Sequence, residues 1–383
     1  MPIERNCWLD RLETRLGGVA TLLLVALAIQ VISFLLYPYP LQEKLERYVR
    51  YQTMVVLCEN PFTTEQLSEP TVRHRLLVPL LAWPLQLRGN GYLILIYSGS
   101  YLFILLTLVL LRQMLPWKQA AMTTLLLATT LAVTTTTSWP TFQDTWSNAA
   151  IVACLLLRKQ WWLMGPVLYV GMLADERCIT TVPLLLLWFY FEDAPEERRQ
   201  LLMRRLICVA LAALCYAATY YGIHRLDVPS EKLNYYGFKE QTGFIQSILK
   251  GDVFLKQIMY APAGLWFALR AGWLLIIMLW WSRRKEQWFR TWLLGGLVVA
   301  VGHSLLVEDV SRVASLAFPA MLLAVVLLYR QSPRLTTQLL CVCLLVNVLS
   351  PQYQINHNRS SLLIPLPLQA LRLLQAERSG IAP

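Results

Sequence analysis

Charged residues are scarce in this chain: Asp, Glu, Lys and Arg make up 15% of 383 residues, whereas hydrophobic residues make up 56%. A water-soluble domain carries about 25% charged residues, so this composition excludes an ordinary soluble protein. Histidine is rare as well, with four residues, and no CxxC pair or His-rich spacing indicates a zinc site. The sequence also lacks a basic run with interleaved aromatics, a fixed-period repeat and a low-complexity tract, so we expect no nucleic-acid partner.

Long apolar runs make up much of the sequence. Many approach the ~20 residues that a helix needs to cross ~30 Å of hydrocarbon. The clearest runs cover residues 17–36, 92–111, 120–138, 149–157, 161–174, 178–191, 206–223, 264–281, 292–307, 313–329 and 336–349. Residues 76–87 are apolar, short and proline-containing, which predicts a re-entrant or interfacial helix. The pattern predicts an all-α, polytopic membrane helix bundle of about 10–11 membrane segments, some half-length or re-entrant, with helical outer loops.

The distribution of basic residues predicts the orientation. The first apolar run ends without a small-residue cleavage site, so we interpret it as a retained helix and not as a signal peptide. If the N-terminus is cytoplasmic, five successive turns rich in Lys and Arg fall on the inner side, as the positive-inside rule requires. These turns contain Arg112 and Lys118, Arg158 and Lys159, residues 198–205, residues 283–285, and Arg330 and Arg334.

Three polar stretches then lie on the outer side of a single membrane domain, residues 1–383. They are a first outer loop at residues 37–75, a second outer loop at residues 224–262, and a tail at residues 351–383. We expect short helices in the first loop. Cys58 and Cys178 both fall on this side, and the sequence leaves open whether they form a disulfide.

The triplet Asp175-Glu176-Arg177 interrupts an apolar run that otherwise extends over residues 161–191. A charge near the bilayer centre costs at least ~2.5–3.5 kcal/mol on insertion scales, so such residues usually face a cavity or each other. One alternative is a buried ion pair that only ties helices together, and another is a tight turn between two short helices. In the predicted topology the triplet is a turn that stops short of the outer surface and forms the floor of a cavity.

Each short outer turn carries an acid. The acids are Asp144, Asp175, Glu176, Glu308 and Asp309, and the basic residues and histidines on the same side include His74, Arg75, Arg177, His303 and Arg312. A carboxylate there can act as a general base on a hydroxyl or can hold a divalent cation. Arginine binds phosphate oxygens through a bidentate fork. If the helices bundle, we expect these groups to converge on one polar cavity suited to phosphate-linked lipids; ordinary solvated turns are the alternative for any single residue.

The layout resembles the GT-C superfamily of membrane glycosyltransferases, which use polyprenyl-phosphate sugars, and especially its small bacterial members. Four stretches carry the resemblance and together cover most of the chain. They are QEKLERY at 42–48, NPF at 60–62 with RLLVPLLA at 75–82, Asp144 with ADER at 174–177, and EDVSR at 308–312 followed by Phe318-Pro319.

The resemblance implies an inverting glycosyltransferase at the extracytoplasmic face of a bacterial inner membrane. Its partners would be a polyprenyl-phosphate-linked sugar donor, a glycan, lipid or protein acceptor, and membrane lipids. The family usually has its catalytic base, an Asp, in the first outer loop, but residues 37–75 contain no Asp. Glu43 or Glu46 would therefore act, with Glu59 as the third choice.

Binding roles follow from the same resemblance. One of Arg75, Arg177 and Arg312 would bind the lipid phosphate, and Asp144 and Glu176 would orient sugar hydroxyls or a divalent cation. No other cofactor is implied. The remaining substrate-binding candidates on the outer face are His74, Asp175, His303, Glu308 and Asp309.

Two other functions stay open at this point. An O-antigen-type polymerase or ligase also works on lipid-linked glycans through a large outer loop, and product analysis separates it from a transferase. A non-enzymatic transporter would line a pathway with its intramembrane charges. Broken helices in matching halves of the chain favour a transporter, and the sequence shows one such break, at residues 175–177.

Overall fold

The structure of the protein is a computed structural model that describes residues 8–38, 48–64, 67, 72–225, 252–302, 304, 309–356 and 359–378. These residues are mainly helical, which confirms the predicted all-α class. Within these ranges, the one sheet is a two-stranded antiparallel hairpin.

Most helices of the first half of the chain correspond to predicted apolar runs, whereas the first and the third lie in polar stretches. The helices of this half are α1 Trp8–Leu16, α2 Gly18–Leu36, α3 Val49–Glu59, α4 Leu77–Ala82, α5 Leu93–Arg112, α6 Trp117–Ala128, α7 Leu131–Ser138, α8 Asp144–Leu156, α9 Met164–Ala174, α10 Val182–Glu192 and α11 Arg198–His224. Helix α4 is too short to cross a bilayer, in line with the re-entrant or interfacial helix predicted at residues 76–87.

The second half continues the bundle and ends in the hairpin. Its elements are α12 Asp252–Leu269, α13 Gly272–Ser282, α14 Gln287–Gly302, α15 Val310–Ala314, α16 Phe318–Gln331, α17 Pro333–Leu349, β1 Gln352–Asn356, β2 Arg359–Leu363 and α18 Leu366–Arg378. Helix α12 begins at Asp252, within the predicted second outer loop, and the hairpin and α18 lie in the predicted tail.

Four helical stretches in the described ranges are long and apolar enough to cross a membrane: Gly18–Leu36, Gly89–Arg112, Arg198–Ile223 and Val310–Gln331. Two bent helix pairs raise this number to six if each pair forms one span. The predicted total of about 10–11 segments therefore includes elements shorter than a full span, such as Trp161–Ala174. These helices indicate an integral membrane protein.

Two runs predicted as continuous helices, residues 120–138 and 264–281, are each broken. Helices α6 and α7 meet at 51°, and α12 and α13 meet at 91°. At the first break the hydroxyls of Thr129 and Thr130 donate to carbonyls three residues back, a pattern that competes with the helical ladder. At the second break Arg270 has a φ of 52°, the left-handed conformation that a right-handed helix cannot continue through.

The two breaks contact each other. The Nη1 atom of Arg270 donates to the carbonyl of Thr129 at 3.4 Å and to the hydroxyl of Tyr37 at 2.7 Å. Asn347 bridges the same two breaks, since its Oδ1 accepts from the Ala271 N–H at 3.0 Å and its Nδ2 donates to Thr129 Oγ1 at 2.9 Å. Neutral oxygen atoms thus hold the buried guanidinium, and the unwound backbone at both breaks is hydrogen-bonded as an apolar medium requires.

Charged side chains lie at both ends of the central helices α8, α10 and α16, with an apolar core between them. At one end, called the basic end below, Glu192 pairs with Arg158 at 3.2 Å and with Arg330 at 2.8 Å, and Asp193 pairs with Arg205. These residues belong to or adjoin the turns predicted to be cytoplasmic. The opposite ends of the same helices carry the candidate site.

Candidate functional site

Most of the predicted site residues meet at the end of the bundle opposite the basic end. They form a charged cluster, defined as His74, Arg75, Asp144, Asp175, Glu176, Arg177, Asp309 and Arg312. The cluster is assembled from four places: the approach to α4, the start of α8, the turn between α9 and α10, and the start of α15. Folding of the bundle therefore creates the cluster from residues that are far apart in sequence.

The turn between α9 and α10 positions Arg177. Helix α9 ends at Ala174, and the Asp175 carboxylate caps the following turn of 3-10 helix by accepting the backbone N–H of Arg177 at 3.1 Å. The same carboxylate accepts a hydrogen bond from Arg177 Nε at 2.7 Å. The Nη2 atom pairs with Asp175 as well and reaches Asp144 Oδ1 at 3.0 Å. Arg177 is thus held between carboxylates from two parts of the chain.

The start of α15 positions Arg312 in a similar way. Asp309 caps this helix by accepting the backbone N–H of Arg312 at 3.3 Å, and its Oδ2 lies 3.0 Å from Arg312 Nε. The Nη1 atom of Arg312 lies 3.4 Å from Asp144 Oδ2. The guanidinium also stacks over the ring of Phe142, 4.0 Å from its centroid. One carboxylate, Asp144, therefore joins Arg177 to Arg312.

Arg75 and His74 close the cluster on the side of α4. Arg75 Nη2 donates to Glu176 Oε1 at 3.3 Å, and its Nη1 lies 3.9 Å from Asp175 Oδ2. His74 Nε2 lies 3.3 Å from Glu176 Oε2. Gln143 fixes the backbone here, because its side chain donates to the Arg75 carbonyl at 3.0 Å and accepts from the Val78 N–H at 3.2 Å.

Opposite charges alternate through the cluster. From one side to the other the order is Glu176, Arg75, Asp175, Arg177, Asp144, Arg312 and Asp309. Four carboxylates minus three guanidinium groups leave a formal charge of −1. This near balance explains how so many ionisable groups remain buried together.

The cluster is closed at its centre and opens at Glu176. The side chain of Asp175 is 4% exposed, whereas that of Glu176 is 33% exposed. Burial alone would raise the pKa of the Glu176 carboxyl, but Arg75 and His74 outweigh burial and hold that pKa below its ordinary range. Burial is likewise outweighed at Asp175, whose pKa is lowered by Arg177 and Arg75. Both turn carboxylates therefore stay ionised at neutral pH.

Three buried polar atoms near this opening lack hydrogen-bond partners among the described residues. They are Nε of Arg75, Oε2 of Glu176, which lies 3.3 Å from His74 Nε2, and the hydroxyl oxygen of Tyr216 in α11. Tyr216 packs with Leu77 and Ala174, the residues next to the ends of α4 and α9 that carry the cluster. A buried polar group without a partner costs about 1–3 kcal/mol, so a ligand or water that reaches this edge is favoured.

The structure places none of the proposed catalytic bases in the charged cluster. Glu43 and Glu46 lie outside the residues that the structure describes, as do His303 and Glu308. Glu59 is described, but it ends α3 with an exposed side chain and is not among the ion-pair partners of the cluster. The structure therefore does not bring the third choice of base to the cluster.

Arginines face the aspartates of the cluster that could hold a divalent cation. In the described part of the chain, no group of three or more His, Cys, Asp or Glu side chains is placed to hold a metal ion. Asp144, Asp175 and Asp309 each already face at least one arginine, which repels a cation. Cys58 and Cys178 are both free and buried, so they do not form the disulfide considered above.

Sequence reasoning missed several residues that position the cluster, namely Phe142, Gln143, Tyr216 and Gln354. Gln354 is the most informative, because its Nε2 donates to Asp309 Oδ2 at 2.9 Å. The alternation Gln-Tyr-Gln-Ile-Asn at residues 352–356 is the signal that could have found it, since a period of two puts both glutamines on one face of a strand.

Comparisons of the chain with protein-family models, with curated proteins and with solved structures find no match. The fold and the cluster define the class: a polytopic membrane helix bundle with a buried cluster of mixed charge at one end of its helices.

Proposed function

We propose that the protein is an inverting membrane glycosyltransferase. It transfers a sugar from a polyprenyl-phosphate donor to a glycan, lipid or protein acceptor at the extracytoplasmic face of a bacterial inner membrane. The observation that carries the proposal is the convergence of three arginines, Arg75, Arg177 and Arg312, on one buried group of carboxylates. Ionisable residues buried in a membrane bundle mark functional sites, and arginines among carboxylates suit a ligand that combines phosphate with hydroxyl groups.

Arg75 is the arginine best placed to receive the phosphate. All three arginines face two carboxylates, but only Arg75 lies beside the more exposed Glu176. Its Nε has no hydrogen-bond partner among the described residues, whereas the Nε atoms of Arg177 and Arg312 lie 2.7 Å and 3.0 Å from a carboxylate oxygen. A guanidinium with free N–H groups can bind phosphate oxygens in the bidentate manner. Arg177 and Arg312 then balance the negative charges of the aspartates in the cluster.

A lipid-linked donor has a route to Arg75 along α11. The apolar stretch of α11 is only 17% buried inside the protein, so most of its surface is available to lipid. Tyr220 of this helix is 46% exposed, and its ring contacts His74 at a centroid distance of 5.3 Å. The prenyl chain would lie in the bilayer beside α11, with the phosphate next to His74 and Arg75.

The reaction is a single displacement. The acceptor oxygen attacks the anomeric carbon and loses its proton to a carboxylate base, while the bond from that carbon to the phosphate oxygen breaks and the polyprenyl phosphate leaves with the electron pair. Arginine stabilises the departing phosphate. Glu176, held ionised by its neighbours, is a weak base and is better suited to orient a sugar hydroxyl. We assign the base to Glu43 or Glu46; full transfer activity in both E43Q and E46Q would contradict this assignment.

Native mass spectrometry tests the proposed binding. The purified protein is incubated with undecaprenyl phosphate in detergent, and the fraction that carries the lipid is measured for the unaltered protein, R75Q and R88Q. Arg88 is a matched control, because it is exposed and hydrogen-bonds only to the nearby Gln86 side chain among the described residues. We expect binding by the unaltered protein and R88Q and a loss of about tenfold or more in R75Q. Absence of binding by the unaltered protein contradicts the proposed function.

A transporter is the second candidate, and one observation favours it. The two bent helix pairs fall one in each half of the chain, which is typical of transporters with internal repeats. Proteoliposomes separate the candidates: coupled uptake of a labelled solute without lipid-phosphate binding supports a transporter, and lipid-phosphate binding without uptake supports the transferase.

A further inference from the structure

Strand β1 places two glutamines in the protein interior. Gln352 is 0% exposed and Gln354 is 5% exposed, and as residues i and i+2 of a strand they share one face. Tyr353 lies between them and packs its ring against Phe267 of α12 at 5.2 Å, on the other face of the strand. The alternation thus buries two uncharged polar side chains beside the charged cluster.

Each glutamine uses one side of its carboxamide group and leaves the other without a partner. Gln352 Nε2 donates to Thr134 Oγ1 of α7 at 2.9 Å, and Gln354 Nε2 donates to Asp309 Oδ2 at 2.9 Å. The Oε1 atoms of both glutamines are buried and have no hydrogen-bond partner among the described residues. If the Gln352 amide is turned over, the hydroxyl of Thr134 donates to its oxygen and a nitrogen is left unpaired instead. In either arrangement one buried polar atom of the Gln352 carboxamide has no hydrogen-bond partner among the described residues.

The strand itself is held rigidly against α15. Ser311 Oγ accepts the backbone N–H of Ile355 at 2.8 Å and lies 3.4 Å from the Ile355 carbonyl. Ser311 directly precedes Arg312, so the same short helix anchors both the strand and the arginine of the cluster. The amide groups are therefore fixed relative to Arg312 and Asp309.

The facing helix α7 adds hydroxyl groups. Thr134 to Thr137 are all buried, and Thr136 Oγ1 lies 3.3 Å from Thr145 Oγ1, next to Asp144. Neutral amides and hydroxyls with fixed positions suit a ligand that presents several hydroxyl groups and no charge. Sites built to hydrogen-bond a hydroxyl discriminate strongly, because an analogue without it leaves buried groups unpaired.

We infer that Gln352 and Gln354 form the subsite for the sugar hydroxyls of the donor, beside Asp309 and Arg312 of the charged cluster. This inference rests on the proposed function and adds to it the part of the chain that selects the sugar. It gives the hairpin of β1 and β2 a role in binding the sugar. No motif of the predicted first outer loop was assigned that role.

Paired lipid affinities test the subsite. Dissociation constants are measured for undecaprenyl phosphate and for the same lipid carrying glucose, mannose or arabinose, with the unaltered protein, Q352M and Q354M. Methionine keeps the length of glutamine and removes its hydrogen bonds. Q119M is the matched control, because Gln119 makes the same kind of bond to a threonine hydroxyl, Thr337, at 3.0 Å on a partly exposed face.

We expect the unaltered protein and Q119M to bind one sugar-bearing lipid more tightly than the bare lipid. In Q352M and Q354M the ratio between the affinities for the sugar-bearing and the bare lipid should fall about tenfold. The affinity for the bare lipid should stay within about twofold of that of the unaltered protein. Because Gln354 also contacts Asp309, Q352M alone decides the outcome if Q354M does not fold. A preference unchanged in Q352M overturns the inference, as does an unaltered protein with no sugar preference. If the unaltered protein binds none of these lipids, the proposed function fails and the subsite with it.

Discussion

Arg312 and Asp144 are 168 residues apart in the sequence, yet Nη1 of Arg312 lies 3.4 Å from Oδ2 of Asp144. The other oxygen of Asp144 lies 3.0 Å from Arg177, so one carboxylate ties α8 to both α15 and the turn before α10. The side chains of Arg312 and Asp144 are 8% and 12% exposed. Removing one member of such a pair leaves the other charge buried and uncompensated.

Substitution of Arg312 should therefore destabilise the protein far more than substitution of an exposed arginine. We expect R312M to lower the free energy of unfolding by about 3–5 kcal/mol, because Asp144 and Asp309 lose a common partner. R330M is the matched control: Arg330 pairs with Glu192 at 2.8 Å but is 46% exposed, so its loss should be within about 1 kcal/mol. Thermal unfolding in detergent measures both, and equal losses would show that the cluster contributes nothing special to stability.

Close packing of α5 on α8 sets the position of Asp144. A methyl group at Gly99 would lie 2.4 Å from Cδ1 of Trp146, whose indole N–H donates to the carbonyl of Leu95 at 2.8 Å. We expect G99A to cost about 1–3 kcal/mol through overpacking and to weaken lipid-phosphate binding. In G222A the new methyl meets nothing within 4 Å, so stability should be unchanged or higher by up to about 1 kcal/mol. Similar melting temperatures for the two variants contradict this packing.

The contact between the two helix breaks should be essential for stability and open to chemical rescue. Glycine adopts the φ of 52° at position 270 without strain, so R270G removes the buried side chain without straining the backbone. Lost hydrogen bonds to Tyr37, Thr129 and Ser350 should lower the melting temperature. Guanidinium ions at millimolar concentration should restore part of the loss in R270G and should not stabilise the unaltered protein. An unchanged melting temperature in R270G contradicts the role of Arg270.

Acid should remove the stability that the ion pair between Glu176 and Arg75 contributes. The folded-state pKa of Glu176 lies below its ordinary value of 4.5, so its stabilising effect is complete above that value and is lost as the pH falls through the folded pKa. The difference in melting temperature between the unaltered protein and E176Q should shrink as the pH falls below about 4.5. Because Glu176 is one-third exposed, we expect a contribution on the order of 1 kcal/mol or less. A difference that grows as the pH falls contradicts this sign.

Hydropathy was sufficient to predict where many of the helices lie. The run at residues 17–36 corresponds to Gly18–Leu36, and the triplet at residues 175–177 lies in a turn between two short helices, one of the alternatives considered. The triplet is also part of a buried ion-pair network, so both alternatives describe it in part. Long apolar helices are predictable because the bilayer requires internally hydrogen-bonded segments of a fixed length.

The break at Arg270 and the pairing of acids with arginines depend on tertiary contacts. Such contacts produce no local pattern in the sequence. The break at Arg270 is stable because Thr129, 141 residues away, and Asn347 supply hydrogen bonds to it. The sequence likewise identified Asp309 and Arg312 as members of an acidic and basic group but did not show which acid pairs with which arginine. The glutamines of β1 were overlooked because an isolated short strand in a polar tail has a weak pattern.

The central claim is that the charged cluster serves sugar transfer from a lipid phosphate, and one assay tests it directly. Proteoliposomes containing the unaltered protein or R75Q are given undecaprenyl-phosphate donors with a labelled sugar, together with a membrane extract as the source of acceptor. We predict that the unaltered protein releases undecaprenyl phosphate in step with the appearance of label on an acceptor, and that R75Q does so at least about a hundredfold more slowly. Equal rates for the two proteins, or donors left intact by an unaltered protein that binds them, would contradict the account.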